Sequence, residues 1–337
     1  MVAEHARVVE TVLASAAAVG RAVEVVTLAE EVRDRWREAP VVLVGAECAA
    51  MLVGLGLPVR TGVHLLATSS DEAVRWSAPL QAPVVVLPDG TGRVTGLLAD
   101  VGAAAGAGQV VALCGASGGL GTSSLVAGMA QVAARAGRRV AAVEASRHSG
   151  GLDLLLGAEQ QPGWRWPDLS SAAGHLGDLS GRLPRAAEID LVSVGRRATA
   201  VSESATMAVV QALSRSHDLV LLDLGPLGEN DLPAGLVSQT LLLVGADVRG
   251  VVAARSRLAA RRGTESIEAV VRVGRDRRLA PAEVGRAVGL PVRGVVREDR
   301  GVPQALEAGD QPARRPRSAF ARDCRALVAA LGEQVEA

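Results

Sequence analysis

The stretch from Gln109 to Glu144 constrains this chain most. A short apolar strand over 110–114 runs into Gly115-Ala116-Ser117-Gly118-Gly119-Leu120-Gly121-Thr122-Ser123-Ser124. A helical pattern over 125–136 follows, and 139–143 reads as a second strand that ends at Glu144. A glycine-rich turn between strand and helix lets backbone amides and the helix N-terminus converge on an anion, so this order predicts a phosphate-binding βαβ unit. The loop has the outline of a Walker A, but the phosphate lysine is missing. All 36 basic side chains are arginine, so no lysine from elsewhere in the fold can replace it.

A second apolar run, Leu219-Val220-Leu221-Leu222, ends in Asp223. A strand-terminal carboxylate downstream of a glycine phosphate loop is the Walker B partner of a Walker A, placed to hold a magnesium-bound water. An Asp that merely caps the next turn is the plainer alternative. Backbone amides over 118–123 need no lysine to cradle phosphate, and a hydroxyl at Ser123 is suited to Mg²⁺.

Short β-branched runs alternate with helical patterns along the rest of the chain, which predicts parallel sheets with crossover helices. In the first hundred residues helices are expected over 6–19, 28–38, 48–55, 71–78 and 91–101, with strands over 22–27, 40–45, 64–67 and 83–87, so that this part begins on a helix. Gly102-Ala-Ala-Ala-Gly-Ala-Gly108 has linker composition and sets domains at 1–105 and 106–337. Beyond Glu144, helices are expected over 169–182, 202–216, 251–261, 280–288 and 318–335, and strands over 190–194, 218–223, 240–244, 269–273 and 294–297. With aromatics at 1%, packing rests on Val, Leu and Ala, as suits sheets covered on both faces. The fold class is therefore α/β, with two doubly wound parallel-sheet domains.

The first of these resembles a response-regulator receiver domain, a flavodoxin-like fold. The resemblance implies acidic residues after the first strand, an Asp after the third and a Lys after the fifth. Here the third-strand position offers Gly45-Ala46-Glu47, and Leu87 is followed by Pro88-Asp89, so a degenerate domain that docks on partners is expected in place of a phosphorylated one. The glycine loop resembles the deviant Walker A of the MinD/ParA family, Gly-Lys-Gly-Gly-x-Gly-Lys-Thr-Thr. Gly118, Gly119 and Gly121 match, Ser123 and Ser124 stand for the threonines, and Ala116, Ser117 and Thr122 replace the first glycine and both lysines. Where the family has Asp-x-Asp after the second strand, this chain has Glu144 and Ser146. The run from Glu144 to Gly157 resembles the pilus-assembly CpaE/TadZ branch, and the segment around Trp36 resembles an actinobacterial septum-site-determining, CpaE-like subgroup.

Several expectations follow from the resemblance. The nucleotide site comprises Gly118, Gly119, Leu120, Gly121, Thr122, Ser123, Ser124, Glu144 and Asp223, with Ser123 and Asp223 as metal ligands. ATP or ADP with Mg²⁺ is the implied cofactor, and no catalytic residue is assigned. Without the two lysines, hydrolysis is expected to be weak or absent, because charge stabilisation dominates phosphoryl transfer. An arginine at 147 or 249 acting in place of lysine, and a nucleotide-independent scaffold, are the competing readings. Implied partners are proteins of division or pilus/secretion machinery, and a second copy of the chain.

Charge is uneven. Residues 246–337 carry 18 Arg against 12 Asp/Glu, read as a solvated face; a ParA-like nucleic-acid mode is the weaker alternative. The three cysteines are odd in number and lie outside metal spacing, which points to a reducing cytoplasm. The last helix groups Phe320, Cys324, Leu327, Val328, Leu331 and Val335 on one face, which predicts docking within the domain or on a partner, with peripheral membrane contact as the alternative. The five histidines form no ligand or triad spacing.

Overall fold

The computed structural model describes residues 1–36, 38–58, 60, 62–101, 108–146, 150–170, 172, 176–195, 201–229, 236–260 and 266–331. Two compact units emerge, one spanning Met1–Gly106 and the other Ala107–Ala172 with Gly177–Ala337. The small-residue run over 102–107 lies outside the described residues.

The first unit contains α1 (Ala6–Ala18), α2 (Ala29–Arg35), β1 (Val42–Gly45), α3 (Ala49–Gly54), β2 (Val63–Ala67), α4 (Ser70–Leu80), β3 (Val84–Val86) and α5 (Thr91–Asp100). It does not begin on a helix. Val2 bridges Val44 in parallel, with Val2 N–H donating to Leu43 O and Gly45 N–H donating to Val2 O, both at 2.8 Å. The Val26 amide in turn donates to Met1 O at 2.8 Å. The expected strand over 22–27 is thus an edge segment paired to the first residues and is not a regular strand. The spatial order becomes the Val26 segment, Met1–Ala3, β1, β2, β3, which is the 2-1-3-4-5 order of flavodoxin-like folds. Alternate residues of β1 and β2 fill two cores. Val42, Val44, Val63 and Leu65 pack with Val32, Trp36 and Leu52, whereas Leu43 and Leu66 pack with Val8, Val12, Val94 and Leu98. Burial on both faces explains why these strands read as continuous apolar runs.

The second unit continues with β4 (Gln109–Gly115), α6 (Thr122–Arg135), β5 (Val140–Glu144), α7 (Leu152–Leu156), α8 (Trp166–Leu169), β6 (Arg185–Ala186), β7 (Ile189–Val192), α9 (Glu203–Ser216) and β8 (Leu219–Pro226). It closes with β9 (Gln239–Gly245), α10 (Val248–Ala260), β10 (Ile267–Val273), α11 (Pro281–Val288), β11 (Val292–Arg297), α12 (Gly301–Glu307) and α13 (Ala319–Ala330). The strands form one sheet in the order β11-β10-β9-β4-β8-β5-β7-β6. All neighbours are parallel except the β6–β7 hairpin. The chain runs from β4 toward β5 on one side and from β9 toward β11 on the other, so the loop after β4 opens at the topological switch point, where ligands of open α/β sheets bind.

The elements of this unit depart from expectation at two places. Of the helix expected over 169–182, Leu169 ends the single turn α8 and residues 176 to 182 are irregular, with Gly177 and Gly181 in the run and Gly181 at φ +74°; 171 and 173–175 lie outside the described residues. The short strand β6 and the helix α12 were not anticipated. The last helix docks within its own unit, as expected: Phe320, Cys324 and Leu327 are buried, against α6 at Gly128 and against β11 at Gly294; Val335 lies outside the described residues. Among the described residues no helix is long and apolar enough to cross a membrane.

Two predictions follow from this packing. A Cβ on Gly128 would lie 2.5 Å from Phe320 Cε1 and 2.8 Å from Cys324 Sγ. Gly128→Ala, ordinarily stabilising in a helix by nearly 1 kcal/mol, should here destabilise by about 1–3 kcal/mol through overpacking, measured by urea unfolding. His64 on β2 has a buried Nδ1 without a partner, and burial together with Arg93 lowers its pKa from 6.5 to about 4. The unfolded chain therefore takes up the proton first as pH falls, and this contribution to stability, full above pH 6.5, is lost between pH 6.5 and about 4. Thermal melts across that window should show a shallower pH slope for His64→Leu than for the wild-type chain.

Candidate functional site

The glycine loop is fixed at its base and open at its tip. Ala116 N–H donates to Leu243 O of β9 and Leu227 N–H donates to Gly115 O, both at 2.9 Å. Gly119 and Gly121 have φ of +74° and +87°, values that L side chains rarely adopt. A Cβ on Gly118, Gly119 or Gly121 would meet nothing within 4 Å, so this side of the loop is free to receive a ligand. Gly121 caps α6, whose first residues are Thr122, Ser123 and Ser124. Leu120 is buried and lies toward Gly245 at the end of β9. The tip is therefore held by an apolar anchor on one side and a helix N-terminus on the other, leaving amides exposed between them.

Strand register delivers the carboxylate. Asp223 of β8 pairs with Leu113 of β4 on one side and Glu144 of β5 on the other. It is fully buried. Its Oδ1 accepts the Gly225 amide at 3.1 Å, and its Oδ2 has no hydrogen-bond partner. Burial pushes this carboxyl above the ordinary carboxylate range, while the nearby Ser123 hydroxyl and the Gly225 amide pull it back down. A buried carboxylate oxygen without a partner, beside a hydroxyl that opens a helix, suits a hard cation that keeps most of its waters. No cluster of three or more His, Cys, Asp or Glu gathers among the described residues, so Mg²⁺ here would rely on Ser123, Asp223, water and phosphate oxygens.

Glu144, at the end of β5, is held by backbone amides. Its Oε1 accepts the amides of Gly151 and Leu152 at 3.0 and 3.1 Å, and its Oε2 accepts that of Val194 at 2.8 Å. The carboxylate thus ties the start of α7 and the end of β7 to β5. Ser146 is also buried, packed where a Cβ on Gly225 would come within 2.5 Å of its Oγ. The Trp166 indole donates to Glu144 O, and Trp164 stacks on Arg182 at 4.8 Å. Arg147 and His148 lie outside the described residues, and Arg249 is exposed in the first turn of α10.

One residue near the loop was missed. Arg257 of α10 donates from Nε to Ala116 O at 2.9 Å and from Nη1 to Leu227 O at 2.6 Å. The available signal was its face: Gly250 and Ala254, seven and three residues earlier, are both buried, so Arg257 falls on a stripe of small inward residues. In the first unit Glu47, in the Gly45-Ala46-Glu47 run at the third-strand position, accepts the amides of Glu4 and His5 through Oε1, both at 2.9 Å. Its carboxylate therefore caps the entry to α1.

Residues 2–115 match the family described as the Rv3660c-like, CheY-like N-terminal domain. Over 311 residues the chain is 31% identical to the uncharacterized protein Rv3660c of Mycobacterium tuberculosis H37Rv, covering 89% of this chain and 87% of that one. The chain belongs to the Rv3660c-like family. Its fold is similar to that of a ParA family ATPase from Chlorobium tepidum, with a TM-score of 0.57 and 19% identity over 67% of this chain and 98% of that one. MinD in the Aquifex aeolicus MinC:MinD complex follows at 0.55 and 16%, covering 68% and 98%. MinD from Pyrococcus horikoshii, complexed with Mg-ADP, gives 0.51 and 15%, covering 67% and 96%. At these identities the likeness is one of fold. The chain thus joins a CheY-like N-terminal domain to a P-loop domain of MinD/ParA fold.

Because Asp223 is buried with an unpartnered oxygen, ionising it costs the ligand-free protein stability. The raised pKa means the unfolded chain ionises first, so that cost grows as pH rises above 3.8. Asp223→Asn keeps an acceptor for Gly225 and should raise ligand-free stability at pH 7 by on the order of 1–3 kcal/mol. The gain should shrink on acidification, checked by denaturant melts at pH 7 and pH 4.

Proposed function

We propose that this chain is a septum-site or pilus/secretion-site positioning protein. Its P-loop binds nucleotide phosphate through backbone amides and hydrolyses ATP weakly or not at all. The supporting observation is the pairing of an open glycine loop with a buried Asp223 whose Oδ2 lacks a partner. Gly118 to Ser123 would hold the phosphates, and Ser123 and Asp223 would hold Mg²⁺, which when bound neutralises phosphate charge. The chain's own residues orient and desolvate this group. Thr122 and Ser117 offer hydrogen bonds without charge where relatives of the deviant Walker A pattern carry lysines.

The positioning role draws on the MinD/ParA fold, on the MinC:MinD complex formed by one fold neighbour, and on the CpaE/TadZ-like run from Glu144 to Gly157. In this reading a CheY-like unit without its lysine serves as a docking module, and the output is a contact with division or secretion proteins or with a second copy of the chain. Contact without turnover fits the charge distribution, because every phosphate-facing group that the sequence offers in the loop is neutral.

Calorimetric titration of ATP–Mg²⁺ or ADP–Mg²⁺ into the full chain tests the site. Binding is expected, with turnover far below that of a lysine-containing ParA-fold ATPase. Thr122→Lys should tighten binding by about tenfold or more, since a charge-assisted bond is roughly twice as strong as a neutral one. No binding by either protein would favour a nucleotide-independent scaffold, and wild-type turnover abolished by Asp223→Ala would show a working ATPase.

A further inference from the structure

We infer that Arg257 is a positioning residue that sets the shape of the phosphate loop in this lysine-free site, acting on backbone carbonyls and not on phosphate. The inference rests on the reading of that loop as a nucleotide phosphate site. Ala116 is the first residue beyond β4, and both of its backbone groups are tied: its N–H to Leu243 O at 2.9 Å, its carbonyl to Arg257 Nε at 2.9 Å. Fixing both groups of one residue fixes the peptide plane that follows, and with it the direction in which the loop amides start. Leu227 is tied in the same way, its N–H to Gly115 O at 2.9 Å and its carbonyl to Arg257 Nη1 at 2.6 Å. One guanidinium therefore links α10, the base of the phosphate loop and the segment that follows Asp223.

Two carbonyls on different segments match the planar fork of arginine and not the single ammonium of lysine. Among the described residues its paired carboxylate, Glu229, stands 3.9 Å from Nη2, farther than either carbonyl from its donor. Preorientation matters more here than in a loop with lysine. Gly118, Gly119 and Gly121 have wide conformational freedom when unbound, and an anion site built from amides is effective only when those amides are already aimed.

Hydrogen exchange of the ligand-free full chain, combined with ATP–Mg²⁺ titration and thermal melting, tests this. In Arg257→Ala the amides of residues 117–122 should exchange about tenfold faster while those of β4 and β8 stay protected. Affinity should fall by about tenfold, with little change in Tm. Arg257→Lys, which keeps charge but loses the fork, should resemble the alanine variant; wild-type affinity and wild-type loop exchange in the lysine variant would overturn positioning in favour of charge alone. Unchanged loop exchange in Arg257→Ala and in Arg257→Gln would also overturn it. If the wild-type chain binds no nucleotide, the reading of the site falls, and loop exchange in the ligand-free variants still decides whether Arg257 holds the loop.

Discussion

The pairing of β4 with strands on both sides governs the second unit. Hydrogen-bonded to β8 and to β9, β4 has its backbone groups satisfied up to Gly115, so free amides begin only where the chain leaves the sheet. The same register sets Asp223 between Leu113 and Glu144. A carboxylate at that place is removed from water by neighbours that offer it little, and it becomes a group that a cation would stabilise. Loop, helix start and carboxylate meet because three parallel strands end at one level.

At the ends of β5 and β8 negative charge meets backbone amides. Glu144 is engaged by three amides and Asp223 by one, and Arg257 at the loop base donates to two carbonyls. This arrangement gives shape to the base of the loop. Amide donors can hold an anion that is already charged, whereas the charge that develops during phosphoryl transfer calls for cations that this loop does not carry. Binding and turnover are separable on that ground.

The first unit follows a similar economy. Its sheet opens with residues that contribute a single bridge, Val2 to Val44, yet that bridge sets the strand order. Glu47 directs its carboxylate to the amides of Glu4 and His5, so the acidic group nearest the expected acceptor position closes the end of α1. A carboxylate held by two amides is a capping device.

The amino-acid sequence by itself determined the alternation of apolar strands and helices, the glycine loop, the Asp223 strand end and the absence of lysine, because periodicity, glycine content and residue type are local properties. It could not show that Met1–Ala3 joins the sheet, since three residues display no alternation. Nor could it show that 176–182 would not continue as a helix past its glycines. Tertiary structure alone decided that Glu144 is spent on amides from α7 and β7 and that Asp223 keeps one oxygen unpartnered. It also decided that Arg257, 141 residues from Ala116 in sequence, reaches the base of the loop. Each of these depends on which backbone groups the fold brings within about 3 Å of a side chain, and sequence distance carries no record of that.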